Sequence, residues 1–208
     1  MKKAVLFSAL ATSLMVAGVA HADGLDTAMA AANQVSLDYA HLNFGNSAGN
    51  ENLVSLKGTM LGDTLFRNSY ASLEIGRGRI AGADDTLVKA KVGVGVPVGN
   101  AIVVPYVQVM HDNLSSMGRY SGAGVGVTGY YGLSHGLTLE ADASAVKQFG
   151  ASQPFGTGAR YHAELAVDYA VTSSVHAAIT YGYTRTNMAN GVSALTGKGF
   201  GVNVGMTF

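Results

Sequence analysis

The side chains able to do chemistry in this chain are spaced along it at short intervals rather than gathered in a motif. Glu74, Lys89, Lys91, Glu140, Asp142, His162, Glu164, Asp168 and His176 each stand between apolar or small neighbours, as do Asp38 and Lys57. Paired carboxylates or an Asp-His couple could do general acid-base work, but only if they face one another. Asp84-Asp85 and His111-Asp112 are adjacent in sequence, and adjacent residues of an extended chain point to opposite faces. Ser134-His135 is the one neighbouring Ser/His pair; it falls in a predicted turn, with nothing to complete a triad. Gly122 to Gly129 reads GAGVGVTG and lacks the Lys-Ser/Thr of a phosphate loop. The histidines have no metal-ligand spacing; His162, Glu164 and Asp168 share a parity that fits a solvated pair better than a ligand set. The reading is of a non-enzyme with no cofactor and no metal.

The elements that carry these charges alternate with period 2, the signature of strands with one apolar and one polar face. The last stretch, 198–208 (KGFGVNVGMTF), puts Phe200, Val202, Val204, Met206 and Phe208 on one face and glycines, Asn203 and Thr207 on the other. In 86–98 a ladder of Val88, Ala90, Val92, Val94, Val96 and Val98 opposes Lys89, Lys91, Gly93 and Gly95. Similar alternation marks 34–44, 52–61, 68–79, 101–111, 120–131, 137–145, 159–169 and 175–186, ten segments in all, or eight if the weak first pair is discounted. In the first, Leu42 and Phe44 fall out of phase with Val35, Leu37 and Tyr39, which suggests a bulge. Residues 45–51, 80–85, 112–119, 149–158 and 187–197 read as longer loops on one side, with short turns on the other. Residues 62–67 are the one turn as long as the shorter loops.

Charged residues make up 12% of the chain and glycine 28 of its 208 residues. That charge is low for a soluble surface, which carries about a quarter to a third, yet no later segment is apolar enough to span a bilayer as a helix. A closed barrel reconciles the two, because alternating strands cross lipid without a hydrophobic run. Residues 1–22 read as an export signal: Lys2 and Lys3, an apolar run, then Ala20-His21-Ala22 before a cleavage at Asp23. Residues 23–33 read as a periplasmic N-terminal segment, a short helix or a tail, and 34–208 as the barrel. Without Lys2 and Lys3 there remain 11 basic and 13 acidic residues, no basis for a nucleic-acid partner. Cysteine is absent, so no disulfide scaffold exists.

The export signal, the alternating strands and the terminal Phe208 together resemble the small bacterial outer-membrane β-barrels, the broad class of OmpA, OmpX and Opa-type proteins and autotransporter translocators. The resemblance implies an all-β, antiparallel up-and-down transmembrane barrel of ten strands in the Gram-negative outer membrane. It also implies that the strand ending at Phe208 is read by the barrel-assembly machinery. On that topology Glu74, Lys89, Lys91, Glu140, Asp142, His162, Glu164, Asp168, His176 and Lys57 line the lumen, as a salt-bridged plug or a narrow passage. Inward glycines either admit bulky side chains or leave space. Tyr161, Tyr181, Tyr183 and Phe200 would form one interfacial girdle, and Tyr131, Tyr169 and Phe208 the other. Arg77 and Arg79 continue the lipid-facing parity to the external end, where lipopolysaccharide phosphates would lie. The expected role is structural or surface-interacting, with a narrow porin-like channel as the alternative and adhesion through external loops as a third. Lipid and lipopolysaccharide are the expected partners; oligomeric state is left open.

Overall fold

Period-2 alternation is realised as a closed barrel. The computed structural model describes residues 24–45, 49–63, 65–80, 82–114, 118–133, 136–152, 155–188 and 194–208. The export signal with its cleavage site, and the pair Ser134-His135, lie outside these residues. A short helix α1 (Gly24–Ala31) is followed by β1 (Gln34–Asn43), β2 (Asn50–Gly62), β3 (Ser69–Ile80) and β4 (Ala83–Val94, resuming as Val96–Val98). Then come β5 (Ala101–Leu114), β6 (Gly118–Gly132), β7 (Leu137–Ala151), β8 (Phe155–Ala170), β9 (Val175–Met188) and β10 (Leu195–Thr207). Each strand pairs antiparallel with its sequence neighbours, and β1 pairs with β10 from Gln34↔Thr207 to Asn43↔Lys198, which shuts the ring. The break in β4 at Gly95 leaves the register intact, since Gly93↔Tyr106 and Val96↔Val103 lie on one diagonal. The break adjoins Pro105, which stands opposite Val94 on that diagonal, faces outward on β5 and has no N–H to give to the ladder.

Parity sorts the side chains. We call the end holding Gln34 and Thr207 the terminal end and the opposite one the far end. Outward positions form a belt of exposed apolar residues, among them Leu37, Leu56, Ile75, Val107, Val125, Leu165 and Val204. Among the described strand residues, outward charges occur only toward the far end: Arg77, Arg79, Asp84, Arg119, Lys147, Arg185 and Lys198. A belt of about ten residues per tilted strand matches the roughly 25 Å apolar band of outer-membrane barrels.

Four expectations are corrected. No bulge occurs in β1, whose pairing with β2 and β10 runs without a shift. Leu42 and Phe44 are in phase with Ser36 and Asp38 and point inward, where they join an apolar cluster with Ile80, Leu87, Met110, Tyr120 and Val146. Hydrophobicity by itself assigns both to lipid, whereas their parity is inward. Second, the loop asymmetry is absent: strand pairing continues to the far-end hairpins, so the connections 81–82, 115–117 and 152–154 are as short as turns. Third, Tyr169 is outward by parity but buried, 7% exposed, between Leu137 and Ala177, and adds nothing to a girdle. Fourth, the outward aromatics near the far end, Tyr39, Phe149, Tyr161, Tyr181, Tyr183 and Phe200, form a patch on the adjacent strands β7, β8, β9, β10 and β1 rather than a ring. There Tyr181 and Phe200 stack with centroids 4.9 Å apart.

The inward glycines divide by location. Gly95 abuts Leu61, Gly126 abuts the Tyr106 ring and Gly197 abuts Phe44, so a Cβ at any of them would collide. At Gly182 a Cβ would meet nothing nearer than 3.8 Å, and that side of the lumen keeps its space. Gly126→Ala is therefore expected to destabilise the barrel by about 1–3 kcal/mol, whereas Gly129→Ala, outward and open, stays within about 1 kcal/mol of wild type. Urea midpoints of the refolded protein, read from folded and unfolded bands on gels, test the contrast.

Candidate functional site

Because strand residues two apart share a face, Lys89 and Lys91 of β4 both enter the lumen. Glu74 of β3 is the cross-strand partner of Lys89 on one side and of Lys57 on the other. Its carboxylate bonds Lys89 Nζ at 2.5 Å and accepts a hydrogen bond from Ser55 Oγ. Asp142 of β7 is the centre of the second group. It accepts from Lys91 Nζ at 2.7 Å, from Tyr106 OH at 2.9 Å and from Thr128 Oγ1 at 2.5 Å, donors on β4, β5 and β6. Lys91 Nζ also lies 4.4 Å from the centroid of the Tyr106 ring, a cation–π contact. Lys57 faces Glu140 Oε1 at 3.8 Å, and His162 faces Glu164 at 3.9 Å. Buried charge is tolerated only when paired and hydrogen-bonded, which this arrangement provides for the lysines.

These groups border one compartment of about 120 Å³, room for several waters. It lies toward β9, β10 and β1, where the inward residues Ala40, Thr180, Gly182, Gly199 and Gly201 are small. Of the residues expected to line the lumen, Lys57, Glu74, Lys89, Lys91, Glu140, Asp142, His162 and Glu164 border it. Asp168 and His176 also point inward but sit apart from it, bonded to each other at 2.7 Å and each 1% exposed. Arg77 and Arg79 are on the outer face at the far end, and Arg79 Nε pairs with Asp84 at 3.1 Å in solvent. Phe200, Val202, Val204, Met206 and Phe208 all face outward.

Both ends of the lumen are furnished by residues that the sequence reading left out. At the terminal end α1 lies inside the barrel: Ala28, Ala31 and Ala32 pack on Leu61, Tyr70, Ile102, Val104 and Tyr130. Thr138 Oγ1 donates to the Thr27 carbonyl, and Gln34 Nε2 to that of Ala31. Gly24 and Gly132 meet backbone to backbone; a Cβ on Gly132 would strike the Gly24 carbonyl. At the far end Glu51, Asp85 and Asp112 gather beside Arg160, whose Nη1 bonds Asp112 Oδ2 at 2.9 Å and also reaches Tyr120 OH. Their parity was available as a signal, since Tyr70, Tyr120, Tyr130 and Glu51 all share the phase of recognised lumen residues.

Chemistry of the catalytic kind finds little support. Asp84 and His111 face outward while Asp85 and Asp112 face inward, so neither adjacent pair converges. A cross-strand couple that the sequence reading missed, His111 Nδ1 and Ser121 Oγ at 2.8 Å, lies exposed on the outer face. No third side chain orients that imidazole among the described residues, and the surrounding N–H groups belong to the β5–β6 ladder. Among the described residues no group of three His, Cys, Asp or Glu side chains has metal-binding geometry.

No protein-family model and no curated protein matches the sequence. Among solved structures, that of the NanC porin in a rhombohedral crystal form is similar over 84% of this chain and 100% of that one, with a TM-score of 0.52 and 12% identity. The KdgM porin in complex with disordered oligogalacturonate matches over 83% of this chain and 99% of that one, with a TM-score of 0.39 and 11% identity. The chain has the fold of a small outer-membrane β-barrel. At 12% identity the likeness to NanC is one of fold.

Within that fold the Asp142 group is the most deeply committed. Asp142→Ala would strand Lys91, whose side chain is 7% exposed, and is expected to destabilise by about 3–5 kcal/mol. Asp84→Ala, which frees only the exposed Arg79, is expected to cost under about 1 kcal/mol. Urea titration of both variants against wild type checks the ordering.

Proposed function

We propose that the protein is a non-enzymatic outer-membrane barrel of porin type, whose charged compartment passes ions and small polar solutes when α1 leaves the terminal mouth. The observation that carries this reading is the compartment itself. Ion pairs from six strands, Arg160–Asp112 included, surround a hydratable space that small residues on β9, β10 and β1 keep open. A barrel serving only as a wall gains nothing from such a space, because apolar packing would fill it with less desolvation cost.

The reading places both chain termini in the periplasm, after removal of residues 1–22, and the far end at the outer leaflet. The distribution of outward charge supports that orientation. Arg77, Arg79, Arg119, Lys147, Arg185 and Lys198 against the single Asp84 make the far-end rim basic, suited to the phosphates of lipopolysaccharide, which guanidinium groups hold bidentately. The apolar outward run of β10 from Phe200 to Phe208 is the surface offered to the assembly machinery. A structural or surface-interacting role remains the second reading; it is favoured by the seating of α1 in one mouth and the apolar cluster at the other.

Single-channel recording of the refolded protein, with folding checked by heat-modifiable migration, separates the two. Gly132→Ala pushes against the Gly24 carbonyl and is expected to unseat α1, raising open probability above that of wild type. Silence from both folded proteins would overturn the channel and leave the structural reading.

A further inference from the structure

Every permanent cation bordering the compartment is already engaged. Lys57 faces Glu140, Lys89 holds Glu74, Lys91 holds Asp142 and Arg160 holds Asp112. Four more carboxylates border the same space: Asp38, Glu51, Asp85 and Glu164. Among the described residues none of these four forms a salt bridge with a Lys or Arg; Glu164 has only His162, at 3.9 Å. The lumen thus carries four acidic groups in surplus. A carboxylate in a narrow compartment has to be neutralised, and where the protein supplies no cation the counter-charge comes from solution, as a proton or a mobile cation.

Two of the four stand at the far mouth. Glu51 lies two residues beyond Leu53 on β2, Asp85 two beyond Leu87 on β4, and Asp112 two beyond Met110 on β5. The three acids therefore form a layer just outside an apolar narrowing of those same strands. Asp85 adjoins both Glu51 and Asp112. Between them, Tyr120 and Arg160 is a second cavity of about 20 Å³, the size of one water or one small ion. Asp85 is 2% exposed, and its Oδ1, like that of Asp112, is buried without a hydrogen-bond partner. The vacancy has the size of a small ion, and because among the described residues no group of three His, Cys, Asp or Glu side chains could hold a metal ion there, a cation at this layer would be in transit rather than bound.

We infer that the solutes this barrel passes are small cations, and that Glu51 and Asp85 set the preference. The inference rests on the channel reading. Carboxylate rings favour cations by excluding anions from a narrow mouth, and the lysines do not counter them, since each is neutralised by its own partner. The layer sits at the end that the channel reading places outside, so a solute meets it before the part of the compartment bordered by the lysines.

The test is the reversal potential of the refolded, full-length protein in a planar bilayer under a potassium chloride gradient. Wild type is expected to reverse on the potassium side of zero, and Glu51→Gln with Asp85→Asn to shift the reversal toward zero. The sign for wild type needs no variant, so failure of the double variant to fold leaves the inference testable. Reversal on the chloride side, or a folded double variant indistinguishable from wild type, overturns the cation preference while the channel stands. Absence of conductance from folded wild type and Gly132→Ala overturns the channel and the preference together.

Discussion

In an apolar surrounding every backbone N–H and C=O must find a partner inside the protein, and that constraint governs this structure. The ring satisfies it by pairing each strand on both sides, including the seam between β1 and β10. Among the described strand residues Pro97 and Pro105 have no N–H to give, and beside Pro105 the ladder with β4 is interrupted close to the terminal end, where β4 is about to turn. Closure has a second effect. It fixes side-chain parity all round, so that each residue has only two possible addresses, lipid or lumen.

Parity concentrates the polar chemistry. With strands of ten or more residues pointing half their side chains into a narrow tube, charges that would repel water-facing neighbours on a flat sheet become mutual partners. Asp142 collects donors from three other strands, ties that no hairpin could make alone. The network couples strands β4 to β7 through side chains as well as backbone. Opposite it, the small residues of β9, β10 and β1 make no comparable ties, which is why the space lies there.

The barrel was legible because strands alternate, and the closing strand from Phe200 to Phe208 shows it most plainly. Ten segments and the inward direction of the lysines on β4 follow from counting in twos. What parity could not convey is which inward residues are apolar. Leu42, Phe44, Tyr70, Tyr120 and Tyr130 have the parity of lumen residues, but their hydrophobicity by itself assigns them to lipid. Nor could it place α1, since an Ala-rich octet carries no mark of the mouth into which it fits. The far-end loops were overestimated because strand pairing extends beyond the apolar belt, where alternation weakens but hydrogen bonding does not.

The seat of α1 carries a consequence for the order of assembly. The residues that receive it come from β2, β3, β5, β6 and β7, whereas the helix itself is tied through Ala32 and Asn33 to β1. Its docking surface does not exist in any hairpin or half-barrel; it appears only when strands distant in sequence have curved into a common wall. The first described segment of the chain is thus among the last to settle. Until then an Ala-rich octet, too short to hold helical form alone, stays free, so the mouth is obstructed only once the wall around it is complete.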